Sequence, residues 1–288
     1  MRLYTTDRGI ARKNSDGTLT LLDLPYPDLG SLLCHDGIRA AAAARPAATV
    51  LESQVSMSPL ITRPGKIVAV GLNYASHAKE ALAKFASVGR HDVQLPTEPN
   101  IQLVAGSAAQ GAGGPLILPA AAPNYVDYEG ELAIVIGVAG FGVPRDRAWE
   151  HVAGLTIIND VTARDIQQRS YSGDPAASIA VAKSFDTFKP LGPCLVTTDE
   201  FTGTVDLRLQ TRVNGEVRQD DRTGNLIHTI PDLIAYISRY LTLEPGDVIA
   251  SGSPGGAGQF ADRYLQVGDV VEVSIDGIGV LSNSVQTP

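Results

Sequence analysis

Three carboxylates carry the chemistry most readily read from this chain. Glu129 and Glu131 stand two apart in Asp127-Tyr128-Glu129-Gly130-Glu131-Leu132, and Asp160 follows 29 residues after Glu131, in Ile158-Asn159-Asp160-Val161-Thr162-Ala163-Arg164-Asp165. Beyond Glu131 runs Leu-Ala-Ile-Val-Ile-Gly, an apolar series rich in β-branched residues that predicts a strand with the two glutamates at its mouth. Alternation along a strand puts Glu129 and Glu131 on one face. Adjacent carboxylates near a low-dielectric interior must protonate, separate or share a cation. The apolar run Val152 to Ile158 predicts a second strand, able to lie beside the first and bring Asp160 to the pair. Three carboxylates without clustered His or Cys suit a hard, oxygen-seeking ion: Mg²⁺, Mn²⁺ or Ca²⁺. Taken alone, the glutamate pair also fits the wet face of a half-exposed strand.

Other residue types offer acid–base chemistry. His77 and Glu80, in Asn73-Tyr74-Ala75-Ser76-His77-Ala78-Lys79-Glu80, are three apart and share a face of a predicted helix, so Glu80 can orient an imidazole that acts as a general base. A polar helix face accounts for the same spacing. Lys183, in Ala182-Lys183-Ser184-Phe185-Asp186, interrupts apolar segments and can polarise an oxygen or hold a carboxylate; an ordinary surface lysine is the alternative. The loop Ser251-Gly252-Ser253-Pro254-Gly255-Gly256-Ala257-Gly258 follows the strand-like Asp247-Val248-Ile249-Ala250 and can present backbone N–H groups to an anion. It lacks the Gly-Lys-Ser/Thr ending of a phosphate loop, and Gly71-Leu72-Asn73 lacks the further glycines of a dinucleotide fingerprint. The five histidines form no HExxH pairing, which argues against a zinc peptidase.

The elements that must position these groups are mostly strands. Residues 1–62 read as a small N-terminal α/β unit: short strands at Arg2-Leu3-Tyr4 and Leu19 to Leu22, then a helix from Ile38 to Arg45 ended by Pro46. A Pro- and Gly-containing linker leads into Lys66-Ile67-Val68-Ala69-Val70-Gly71, where the main domain, 63–288, begins. Many short β-rich runs separated by Gly, Pro and Asn then predict a β-rich α+β fold with antiparallel or mixed sheets. Val213-Asn214-Gly215-Glu216 predicts a hairpin with a type I′ turn. Two helices are expected, one opening near Ser76 and one following Pro231 to Tyr240.

With 288 residues, 44% hydrophobic and 19% charged, the chain can bury a sizeable core. A formal net charge of -8 argues against nucleic acid or an anionic membrane surface as partner. Cys34 and Cys194 match neither a metal spacing nor a disulfide framework, pointing to a reducing compartment. With no apolar leader and no run of about 20 apolar residues, a cytoplasmic location is expected.

In order and interval, several motifs together resemble the fumarylacetoacetate hydrolase family. They are Gly71-Leu72-Asn73-Tyr74 with His77 and Glu80, Tyr128-Glu129-Gly130-Glu131-Leu132, Asn159-Asp160-Val161-Thr162-Ala163-Arg164-Asp165 with Gln167, and Ala182-Lys183-Ser184-Phe185-Asp186. Val213-Asn214-Gly215-Glu216 with Gln219, and Gly246-Asp247-Val248-Ile249 leading to Ser251-Gly252-Ser253-Pro254, extend the resemblance over about residues 64–288. The resemblance implies a mixed-sheet β-sandwich-roll, a homodimer, and Mg²⁺ or Mn²⁺ held by Glu129, Glu131 and Asp160. It further implies His77, Glu80 and Lys183 as catalytic residues, on a helix that closes as a lid in the case of His77. Asn73, Tyr74, Arg164, Gln167, Ser251, Gly252 and Ser253 are implied as substrate-binding.

The implied substrate is a small 2-oxo acid whose carboxylate and 2-oxo oxygens meet the ion, with negative charge developing on the 2-oxygen as a bond breaks nearby. Hydrolysis of an acylpyruvate-like 2,4-dioxo acid is the first expectation, because the pair His77 and Glu80 suits water activation. Isomerisation, tautomerisation or decarboxylation of a 2-hydroxy-dienoate or 2-oxo acid is the alternative, and a metal-dependent binding protein without turnover a third. The chain departs from the family pattern where Val104 and Gly255 replace common lysines. The segment between His77 and Glu98-Pro99 is longer than in short relatives and carries Lys84, Arg90 and His91, so Lys84 or Arg90 can stand in for a lost ammonium.

Overall fold

A computed structural model describes every residue of the chain except Val88 and Thr202. Its first strands are β1 (Arg2–Thr6), β2 (Gly9–Lys13) and β3 (Leu19–Leu22), followed by helices α1 (Leu29–His35) and α2 (Ile38–Ala43) and by β4 (Pro46–Val50). Next come β5 (Ile67–Gly71), the helix α3 (Ala75–Ser87), β6 (Asn100–Val104), β7 (Ala109–Gly111), β8 (Leu116–Ile117) and β9 (Val126–Asp127). The central strands β10 (Gly130–Ile136) and β11 (Val152–Asn159) precede β12 (Thr162–Ala163), α4 (Arg164–Tyr171), α5 (Ile179–Ala182) and β13 (Lys189–Thr197). The chain ends through β14 (Arg208–Val213), β15 (Glu216–Arg222), α6 (Ile230–Ile237), β16 (Val248–Ala250), β17 (Val270–Ile275) and β18 (Gly279–Gln286).

The larger sheet runs β4-β3-β2-β1-β13-β11-β10-β16-β5-β6, with β7 also on β13; a second runs β15-β14-β17-β18-β8, and β12 pairs with β9. Pairing is antiparallel except for β16 on β5, β7 on β13 and β8 on β18, so the sheets are mixed. Residues 1–62 extend the larger sheet through β1 on β13. As the apolar runs predict, β10 pairs antiparallel with β11, Glu131 lying opposite Ile158.

Every residue of β10 is buried because its two faces feed two cores. Leu132, Ile134 and Ile136 pack with Leu209, Val273 and Ile275 of the second sheet and with α6, whereas Ala133 and Val135 pack with Leu29, Leu32 and Ile67. Burial of each such Leu or Ile contributes about 1.5–3 kcal/mol. Gly130, between the two glutamates, sits where the sheets touch, and a Cβ there would overlap Thr211 and Val273. The hairpin forms as expected, with Asn214 and Gly215 at φ 52° and 79°, the positive values a type I′ turn needs. The predicted C-terminal helix is α6, with a capping box between Thr229 and Asp232. Among the described residues no helix is long and apolar enough to cross a membrane.

Candidate active site

The start of β10 and the turn after β11 bring the three carboxylates together. Glu129, Glu131 and Asp160 are buried, and one oxygen from each lies within 4.8 Å of the others. Backbone geometry fixes the spacing: the Asp160 N–H donates to Glu129 O at 2.8 Å, and the Glu129 N–H to Asn159 Oδ1 at 3.0 Å. Glu131 Oε2 accepts from the Gly252 N–H at 2.7 Å. Gly252 takes φ 102°, and its close approach leaves no room for a Cβ, which would stand 2.6 Å from that of Asn73.

Three buried cations surround these acids. Arg164, at the start of α4, donates to Glu129 Oε1 (2.8 Å), Asp127 Oδ2 (2.7 Å) and Gln167 Oε1 (2.8 Å). Lys183 donates to Glu129 Oε2 (3.0 Å), Thr162 Oγ1 (3.0 Å) and Asp160 Oδ2. Lys189, at the head of β13, stands 2.9 Å from Asp160 Oδ1 and donates two protons to the carbonyls of Val161 and Phe188. Asp160 Oδ1 is thus ion-paired yet accepts no hydrogen bond.

The carboxyl groups respond differently to this setting. Burial alone would raise Glu129, but Arg164 and Lys183 outweigh it and hold the group well below the usual carboxylate range. Against the same burial, Lys183 and Lys189 hold Asp160 below its ordinary value. For Glu131, burial adds to the charges of Asp160 and Glu129 and pushes the group well above that range. Burial brings the Lys189 ammonium down to about 8, although Asp160 opposes the fall.

A divalent cation fits this donor set. Asp127, Glu129, Glu131 and Asp160 set four buried carboxylates against Arg164, Lys183 and Lys189, and among the described residues Glu131 forms no ion pair. The donors are all hard oxygens, and ligand oxygens on Mg²⁺ stand about 4 Å apart at most, close to the spacing here. At the cluster and the cavity beside it, Asp160 Oδ1 and His77 Nδ1 are buried without a hydrogen-bond partner among the described residues, as befits a ligand site rather than an inert core.

Above the acids lies a cavity of about 550 Å³, lined by Glu129, Arg164, Gln167 and Lys183 on the floor and by His77, Lys84, Phe85, Arg90 and Phe260 on the opposite side. His77 Nε2 is 3.7 Å from Glu129 Oε1, its Nδ1 is 3.9 Å from Glu80 Oε2, and its ring meets Phe260 edge to face. Glu80 accepts the Gly256 N–H at 3.0 Å on both oxygens. A Cβ on Gly255 would come within 3.2 Å of that carboxylate, so the bare backbone there makes room for Glu80.

Most residues expected at the site converge on it, though not all face the cavity. Asn73 spends its side chain on His228 and on Ser251 O, tying two loops together, and Ser253 accepts from Gln219 at 2.7 Å. Tyr74 and Ser251 are fully buried behind the wall. Arg164 and Lys183 have their N–H groups committed to protein acceptors, so in this arrangement they position carboxylates. Val104 is buried among apolar side chains, and Asn100 and Gln102, earlier on β6, are polar groups that line the cavity. The sequence reading missed Asp127, Thr162, Lys189 and Phe260. Asp127 was signalled by the acidic run it begins, and Lys189 by a charge heading an apolar series; Thr162 and Phe260 carried no comparable mark.

Comparison with known proteins agrees with this geometry. The model of the fumarylacetoacetate hydrolase C-terminal region matches residues 66–286. The human protein "Oxaloacetate tautomerase FAHD2A, mitochondrial" is 37% identical over 280 residues, covering 96% of this chain and 84% of its own. A 2-hydroxyhepta-2,4-diene-1,7-dioate isomerase from Mycobacterium marinum superposes with a TM-score of 0.75 at 32% identity, over 100% of this chain and 98% of that one. A maleylpyruvate hydrolase from Sphingobium sp. SYK-6, solved with manganese(II) and pyruvate, gives 0.77 at 28% identity, over 100% and 99%. With the family model matched over residues 66–286 and these relatives along most of its length, and with its acid cluster at the start of β10, the chain belongs to the fumarylacetoacetate hydrolase family of enzymes.

Proposed function

We propose that this protein is a divalent-metal-dependent tautomerase or isomerase of a 2-oxo acid, oxaloacetate being the first substrate to test. Glu129, Glu131 and Asp160 would hold Mg²⁺ or Mn²⁺. When bound, the ion would supply positive charge that grips the substrate's 2-oxo carboxylate and favours negative charge developing on the 2-oxygen.

The observation that carries the reading is the placement of His77. Its imidazole lines the cavity beside Glu129, and its Nδ1 is buried without a hydrogen bond. Enolisation requires a group that takes a proton from C3 as the C–H electrons form the C2–C3 double bond, and that returns a proton to the 2-oxygen. An imidazole at the edge of the acid cluster can do both, and proton transfer of this kind contributes about 10²–10⁴-fold. Phe260 and Phe85 line the cavity with apolar rings that would limit water beside a proton moving between carbon and oxygen.

Hydrolysis of an acylpyruvate, the first expectation from sequence, becomes the second reading. It is favoured by Glu80, which stands beside His77 and could orient it toward water. The relatives named as a tautomerase and an isomerase weigh toward the first.

Mg²⁺- or Mn²⁺-loaded protein given freshly dissolved enol-oxaloacetate should speed the loss of the enol absorbance, and EDTA should abolish the effect. No acceleration with either ion would overturn the tautomerase reading. Entry of ¹⁸O from solvent into a released acid, on a panel of 2,4-dioxo acids, would establish hydrolysis in its place.

A further inference from the structure

Four cationic side chains line the cavity: Lys84, Arg90, Arg164 and Lys183. The two on the floor are neutralised, since Arg164 and Lys183 are paired with Asp127, Glu129 and Asp160. The two on the opposite side are not. Among the described residues neither Lys84 nor Arg90 enters an ion pair: Lys84 donates to Gln259 O at 2.9 Å and lies over the Phe260 ring, while the Arg90 guanidinium rests on the ring of Phe85. Glu129 is the one acidic side chain in the lining. The cavity therefore carries its surplus negative charge at the acid cluster and its uncompensated positive charge on α3 and the turn that follows.

We infer that Lys84 and Arg90 form a subsite for the second carboxylate of a dicarboxylic 2-oxo acid, whose first carboxylate and 2-oxo group face the acid cluster. This rests on the 2-oxo acid reading and adds to it the residues that meet the far end of such a substrate. The ammonium and guanidinium supply charge-assisted donors, and the apolar lining from Ala81, Phe85, Val93 and Ile179 accommodates the carbon chain between the two ends.

The test uses matched ligands on Mg²⁺-loaded protein. Calorimetric titration compares 2-oxoglutarate with 2-oxopentanoate, which differ in one terminal carboxylate against a methyl group, and uses oxalate as a ligand for the acid-cluster end alone. Wild type should prefer 2-oxoglutarate by about 10- to 100-fold, the range for charge-assisted hydrogen bonds. The double variant Lys84→Met, Arg90→Met should lose that preference while binding oxalate as before, and Lys84→Arg with native Arg90 should keep it. Equal wild-type affinity for the two oxo acids would overturn the inference, as would a double variant that weakens oxalate and both acids alike. Deuterium exchange at C3, followed by NMR in the same samples, reports separately on tautomerisation: lost exchange with a retained preference would count against the reaction and not the subsite.

Discussion

On the floor of the cavity, Glu129 is held by both Arg164 and Lys183, and Asp160 by both Lys183 and Lys189, all of them buried. On the roof, α3 is tied by Ser76 to Asp221, by Glu80 to Gly256 and by Lys84 to Gln259. The floor is redundant, so loss of one contact leaves a charge still gripped from another side. The roof depends on single hydrogen bonds near solvent, each worth about 0.5–1.5 kcal/mol net. On the proposed reading the difference is a division of labour: the floor would fix where charge develops, and the roof would decide which substrate is admitted and when protons move.

The severest way to break this comparison is Arg164→Met. It strands Asp127 and Glu129 with fewer partners in the interior, and removing one member of a buried pair costs about 3–5 kcal/mol. Urea unfolding should show that loss together with weakened metal binding; a midpoint near wild type would mean the floor is not held as described. His77→Asn tests the other side. Turnover should fall by about 10²–10⁴-fold while urea midpoint and metal affinity stay put, and a parallel fall in metal affinity would erase the distinction between floor and roof.

The gentlest test sharpens it. Because burial and the charges of Asp160 and Glu129 raise the Glu131 carboxyl well above the usual range, a proton competes with the ion there. Affinity should rise with pH by at most about tenfold per unit below that raised value and level off above it. Metal titrations across pH 5.5 to 8 measure this directly. A flat profile would show that Glu131 is already ionised and needs no proton displaced.

Much of the floor was legible in the sequence because it is local. The apolar runs after Glu131 and before Asp160 announce β10 and β11, and strand alternation then aligns the acids. The Asn214-Gly215 turn was likewise legible, since backbone conformation there depends on two residues. What escaped was long-range. Nothing near Arg164 tells that its guanidinium returns 37 residues along the chain to Asp127, and nothing in the first strand tells that β1 pairs with β13. Periodicity reports which face of an element is buried, and partner choice depends on topology that the local pattern does not encode. The commitment of Asn73 to His228 and Ser251 escaped for the same reason: a polar residue beside a catalytic motif reads as a ligand contact until its partners are seen.

Gly130 has a meaning beyond making space. Because it sits against Thr211 and Val273 of the smaller sheet, the two glutamates that flank it keep their places only while the two sheets remain in contact. Separation of the sheets and release of the ion are then one equilibrium viewed from two ends. An ion that binds the folded form alone stabilises it by RT ln(1 + [L]/Kd), about 2.7 kcal/mol at a hundredfold excess over Kd. With the proposed ion bound, the protein's heat resistance would accordingly be set in part by the free divalent metal around it, and a chelator would act on this enzyme as a mild denaturant.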